Sequence, residues 1–271
     1  MDASFSEDQI MIRETAAGFL TDWHDAGGFR NLSDGDHARD SVAWDTLAGE
    51  LGFSGLSIGL EQGGAGLGHV ERALVMEEMG RVLFMAPFFS TCVLAADALQ
   101  AAGGDAGHAL LKQIAEGTLT ATLAEMIATV DTDGKLSGEA KGVVDGEHAD
   151  VILIASGDAL YAVEANSAGV TRVAVETLDR TRKLADLRFD SAPSTCLADG
   201  PQVGHALERA RARSAIALAA EQVGGAEAML NATVAYALER KQFGRAIGSF
   251  QAVKHRCADM MIDIEAARSA V

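Results

Sequence analysis

The apolar period of this chain changes twice, and that double change constrains the fold more tightly than any single motif. Up to about residue 117 apolar residues recur at helical spacing. From Thr118 they fall into short β-favouring runs at 119–126, 151–155, 160–163 and 170–175, separated by Asp-Gly, Asp-Gly-Glu and Asn-Ser-Ala-Gly turns. Past Pro193 and Pro201 the helical pattern returns, and a stretch over about 205–240 would be near 50 Å long at about 1.5 Å per residue. The expected class is α+β. A helical N-terminal domain covers 1–117, a middle β domain 118–200 and a helical C-terminal domain 201–271. An apolar share of 48% with only 5% aromatics suits packed helices, and 271 residues can bury a substantial core.

Local signals place the elements. Ser6 and Gln9 form a capping box for a first helix running to about 23, with Phe5 and Ile10 spaced to staple it. The polar stretch 27–40 is expected to be a loop, Ser41 the cap of the next helix and Gly52 its stop. The Gly-rich segment 61–68 precedes a helix over 69–83, but a dinucleotide fingerprint would need glycine where His69 stands. A corner needing positive φ is the simpler assignment. Further helices are expected over 90–102 and 106–116. Gly224-Gly225, inside the long helix, points to close packing against a neighbouring helix. Val253, Cys257, Met260, Met261, Ile264 and Ala267 form one stripe of the last helix, fit for core or subunit interface. Glu77-Glu78 and the Arg209, Arg211, Arg213 series are expected on solvated helix faces.

Between the last two helices lies Tyr236-Ala-Leu-Glu-Arg240-Lys-Gln-Phe243-Gly244-Arg245-Ala-Ile247-Gly248-Ser249-Phe250-Gln251. Gly244 falls where a left-handed residue closes a helix, and Ser249 is placed to cap the next one. Arg240 and Arg245 would then share a short turn with the positive dipole end of that helix, an arrangement suited to phosphate. On the physics alone, a helix-turn-helix corner with solvated arginines accounts for the same residues.

The spacing of Tyr236, Arg240, Phe243, Gly244, Ile247 and Gln251, followed by Ala258-Asp259-Met260, resembles the C-terminal signature of the acyl-CoA dehydrogenase family. The helical, β, helical order is similar as well, so the resemblance spans essentially the whole chain. It implies FAD as cofactor at a subunit interface of a homo- or hetero-oligomer. Arg240 would pair with the pyrophosphate, Phe243 and Ile247 pack on the cofactor and Gln251 hydrogen-bond it. The implied reaction is α,β-dehydrogenation of an acyl-CoA substrate, with an electron-transfer flavoprotein or similar acceptor. Gln251-Ala-Val-Lys-His255 with Ala258-Asp259 looks closest to the bacterial heteromers that act on bulky, ring-containing or steroid-derived acyl-CoA.

The chain departs from the family pattern at the chemistry. Where some members carry the glutamate base, 26 residues before the signature arginine, Ser214 stands, and Ala215 follows it. In most members the base lies C-terminal to residue 271, so the C-terminal domain is expected to be truncated. Glu125 is kept, but Gly142-Val143-Val144-Asp145 stands where the family's Trp-Ile-Thr-Asn lines the flavin ring. Two readings follow: a dehydrogenase, or a non-catalytic partner subunit supplying FAD contacts in trans to a catalytic paralogue. In either case the isolated chain is expected to be inactive, and no catalytic residue is assigned.

Charge bounds the partners. The formal charge is -17, which argues against nucleic acid and anionic membrane, and no apolar run is long enough for membrane insertion. Residues 201–271 nevertheless hold nine Lys and Arg against seven Asp and Glu, so an anion would be drawn there. Three scattered cysteines and the lack of a signal segment point to the cytoplasm. Seven histidines without HxH or HExxH spacing give no support for a metal.

Overall fold

A computed structural model describes residues 5–33 and 40–271. The N-terminal helices are α1 (Glu7–Asp25), α2 (Gly28–Ser33), α3 (Ser41–Asp45), α4 (His69–Val82), α5 (Ala96–Ala102) and α6 (Gly104–Ala115). π-helical turns extend α3 over Thr46–Glu50 and precede α5 over Phe89–Ala95. Eight strands follow: β1 (Ala121–Glu125), β2 (Thr129–Val130), β3 (Lys135–Val144), β4 (Val151–Ser156), β5 (Ala159–Glu164), β6 (Val170–Val175), β7 (Leu184–Pro193) and β8 (Thr195–Ala198). The chain then forms α7 (Pro201–Glu239), the two-residue strands β9 (Lys241–Gln242) and β10 (Arg245–Ala246), and α8 (Gln251–Ala270).

Two compact units divide these elements. One comprises residues 28–69 and 85–215, and the other 1–27, 70–84 and 216–271. In the first, two four-stranded sheets have the orders β1-β4-β5-β8 and β2-β3-β7-β6. Among the described residues, only β1 and β4 pair in parallel. The continuous apolar run of β4 has a structural reason, because its alternate residues serve two cores. Val151, Leu153 and Ala155 pack with Leu99, Leu111 and Ile114 of the helices, while Ile152 and Ile154 pack with Leu136, Leu187 and Phe189 of the other sheet. A bulge on β7 sets Ser191 at φ 52, so Phe189 and Ala192 both face inward.

In the second unit α4 and α7 touch backbone to backbone. A Cβ on Gly224 would lie 1.8 Å from Glu77 O, and one on Gly80 would lie 1.9 Å from Glu221 O. Close packing at Gly224 was legible in the sequence; its counterpart Gly80 was not. Against the same helices α8 buries Ile264 with Val223 and Leu230, flanked by Cys257 and Met260. The apolar stripe of α8 is therefore narrower than expected, since Met261 and Ala267 are exposed.

Several local expectations need correction. The capping box at Ser6 and Gln9 forms, but Phe5 and Ile10 both stay exposed. Residues 28–33 are helical because Leu32 is buried there, and the rest of the expected loop, 34–39, lies outside the described residues. Asp40 rather than Ser41 caps α3, accepting from Ala43 N at 3.0 Å. Gly52 does end that segment at φ 67. Gly63 and Gly66 take positive φ, as the Gly-rich corner requires. Glu77 and Glu78 do not lie on a solvated face. Arg81 bonds Glu77 at 2.7 Å, Glu78 at 2.9 Å and Glu227 at 2.5 Å. Arg268 joins the same network through Glu77 at 3.1 Å, Glu227 and Glu265. Burial pushes the Glu78 carboxyl above its usual range, against the pull of Arg81. Burial works against the charged Arg268, yet Glu77 and Glu227 overcome it and raise its pKa.

Among the described residues no helix is long and apolar enough to cross a membrane.

Candidate functional site

The segment after α7 folds into a β-hairpin. Gln242 pairs with Arg245 and Lys241 with Ala246, leaving Phe243 and Gly244 as a two-residue loop. Both have positive φ, 53 and 80, which is the requirement of a type I′ turn. Glycine meets it without strain, whereas phenylalanine does not. The base of the hairpin is closed by Arg240 N donating to Tyr236 O at 2.9 Å and Ile247 N donating to Arg240 O at 2.8 Å.

This geometry presents the candidate residues outward. Phe243 is 92% exposed. Arg240 and Gln251 are exposed and Ile247 is half-buried. The Arg245 guanidinium lies 4.1 Å over the Phe250 ring, and the Phe243 ring meets Phe250 edge-on at 6.2 Å. This stacking was not legible from the spacing, because it depends on the hairpin turning the chain back. Ser249 does not cap α8. Its hydroxyl donates to Ala246 O at 2.7 Å, and Phe250 occupies the cap position without a side-chain bond. The positive end of α8 thus starts at Gln251, six residues after Arg245.

In the other unit, the segment 142–145 closes β3. Gly142 N donates to Asp186 Oδ1 at 3.0 Å, and Val143 is buried. Asp145 sits at φ 53, where its N–H donates to Lys183 O at 2.8 Å and its carboxylate accepts from Ser90 Oγ at 2.5 Å. The nearby hydroxyl donors are also committed inside the protein. Thr122 Oγ1 donates to Val144 O at 2.6 Å and Thr120 Oγ1 to Asp150 Oδ2 at 2.8 Å. Glu125, at the end of β1, accepts from Arg211 Nε at 2.6 Å. Arg211 is therefore ion-paired rather than merely solvated, and that bond raises its pKa. Ser214 is 6% exposed and donates to Ala210 O at 2.9 Å, a hydroxyl turned back onto its own helix. No three of the described His, Cys, Asp and Glu side chains group to hold a metal ion.

The residues present suit FAD unequally. Exposed cations, an exposed aromatic ring and an uncapped helix start fit its phosphate-bearing part. The strand end at Val143-Val144 supplies neither ring wall nor spare hydroxyl for the flavin.

The model of the acyl-CoA dehydrogenase N-terminal domain matches residues 6–118, and that of the acyl-CoA dehydrogenase C-terminal domain matches residues 204–271. Acyl-CoA dehydrogenase IpdE2 of Mycobacterium tuberculosis (strain ATCC 25618 / H37Rv) is 36% identical over 98% of this chain and 74% of that protein. Among solved structures, a variant of the Tcur3481-Tcur3483 steroid ACAD is 31% identical with a TM-score of 0.87, over 97% of this chain and 75% of that one. The ChsE4-ChsE5 complex from Mycobacterium tuberculosis is 27% identical with a TM-score of 0.86, over 98% of this chain and 76% of that one.

Proposed function

The chain belongs to the acyl-CoA dehydrogenase family, and from that membership we propose that it serves FAD-dependent α,β-dehydrogenation of an acyl-CoA thioester. The observation that carries this reading is the hairpin tip. Holding a non-glycine residue in the left-handed region costs about 1–3 kcal/mol. Phe243 bears that cost while 92% exposed, which suits a surface made for contact outside its own fold. Arg240 would hold the FAD pyrophosphate, Phe243 and Ile247 would pack on the cofactor, and Gln251 would hydrogen-bond it across a subunit interface. Arg245, stacked on Phe250, is preorganised to share the phosphate charge. FAD supplies the hydride acceptor. The electron-transfer flavoprotein or similar acceptor and the cytoplasmic setting belong to the same proposal, as does the three-part division at residues 117 and 200.

The acyl group is proposed to be bulky and steroid-derived, on the likeness to a steroid ACAD.

A second reading is favoured by two observations. Ser214 is buried and hydrogen-bonded to Ala210, so that helix position offers no base. The hydroxyl of Thr122 is committed to Val144 O, and Val143 is packed in the core of the second sheet. Both support a partner subunit that lends its hairpin to FAD held by a catalytic paralogue. Dye reduction by the chain alone and mixed with such a paralogue, over steroid side-chain and short-chain acyl-CoA, separates the readings. Turnover only in the mixture supports the partner role; robust turnover by the chain alone defeats it. Absence of both flavin and turnover in every assembly would defeat the dehydrogenase reading.

A further inference from the structure

The unit formed by residues 28–69 and 85–215 carries a cleft that the dehydrogenase reading does not use. It measures about 420 Å³ and opens between the β6–β7 loop and the turn at Glu147 and His148, with Ser33 at its rim. That volume is ordinary for a small-molecule site. Arg180, Arg182 and Lys183 line it, three cations within four consecutive residues of a chain whose formal charge is -17.

The two arginines are held in place. The Arg182 guanidinium lies 4.8 Å over the Phe89 ring. Arg180 Nη1 donates to Ser33 O at 3.1 Å, which uses one of its five N–H donors. The loop itself is pinned by Asp179, whose carboxylate accepts from Thr181 N at 2.8 Å and from Thr181 Oγ1 at 2.6 Å. Those bonds to Thr181, with the charge of Arg182, hold the Asp179 carboxyl below its usual range. Two other carboxylates face the cations. Glu147 lies 3.2 Å from His148 Nε2, and Glu176 is exposed on the cleft wall.

We propose that this cleft binds a small phosphate-bearing anion, up to the size of a mononucleotide, through Arg180, Arg182 and Lys183. Planar guanidinium forks match phosphate oxygens two at a time, and a half-buried wall screens them less than open solvent does.

Calorimetric titration of the full chain with inorganic pyrophosphate and with ADP tests the proposal. A background carrying both Arg240→Ala and Arg245→Ala removes the hairpin arginines as a competing phosphate site. Binding is expected to persist there and to weaken as salt is added. Arg180→Gln and Lys183→Gln should each weaken it about tenfold or more, the loss of one charge-assisted bond. Glu176→Gln, a change at an exposed position, should tighten it. Tighter binding of ADP than of pyrophosphate identifies a nucleotide; equal binding identifies the phosphate alone. Lack of binding by either probe would overturn the proposal, as would affinities unmoved by Arg180→Gln and Lys183→Gln in protein with the wild-type melting curve.

Discussion

Phe243 combines a strained backbone with the cofactor contact proposed for it. Asparagine tolerates the left-handed region, so Phe243→Asn should stabilise the isolated chain by up to about 1 kcal/mol in a denaturant titration. The same change should lower flavin retention in the assembly. Glu78 supports a second prediction at this scale. Its folded-state pKa is raised by burial, so the folded protein binds more protons than the unfolded chain. Stability from this group is therefore full below its unfolded value and is lost as pH rises through the folded one. Glu78→Gln should remove this group's loss of Tm as pH rises above the usual carboxylate range, and a pH dependence equal to that of the wild type would refute the assignment. Single residues were also where sequence reasoning went astray. Ser41 and Ser249 are both good caps by type, but Asp40 and the Ala246 carbonyl, respectively, won by geometry that no spacing rule contains.

Elements were legible where burial leaves a periodic trace. Strand β4 announces itself as five apolar residues because both of its faces are covered. By contrast β3, with Lys-Leu-Ser-Gly-Glu-Ala-Lys-Gly, buries Leu136, Ala140 and Val143 at uneven spacing and is not among the expected strands. Strand β7 does alternate, burying Ala185, Leu187 and Phe189, until a bulge at its end interrupts the period, and it too is not among them. The crossing of α4 and α7 gives a sharp pair of substitutions. Gly224→Ala puts a Cβ against Glu77 O and should cost about 1–3 kcal/mol or more. Gly225→Ala meets only Gly80 O at 3.4 Å, an ordinary contact, and should be neutral or stabilise the helix by up to about 1 kcal/mol. Thermal melts of the two variants check this; equal losses would mean that the close approach is not at Gly224.

For the whole molecule, the family was visible in six spaced residues running from the end of α7 to the start of α8, whereas the hairpin between those helices was not. Type I′ geometry and the stack of Arg245 on Phe250 depend on local backbone dihedrals that residue spacing does not encode, and the commitment of Thr122 to Val144 arises only when backbone distant in sequence is brought together. They sharpen the role proposed for the chain, in which it would offer contacts for the phosphate part of FAD and little for the flavin ring. The central claim is that Arg240 holds the cofactor from this chain's side of an assembly. The direct measurement is the flavin absorbance per protein of the purified assembly carrying Arg240→Ala, beside Arg240→Lys and the unchanged protein. A charged but unforked lysine should retain part of the FAD and alanine should lose about tenfold or more in affinity. Full flavin content in the Arg240→Ala assembly, after dialysis against buffer free of FAD, would contradict the account.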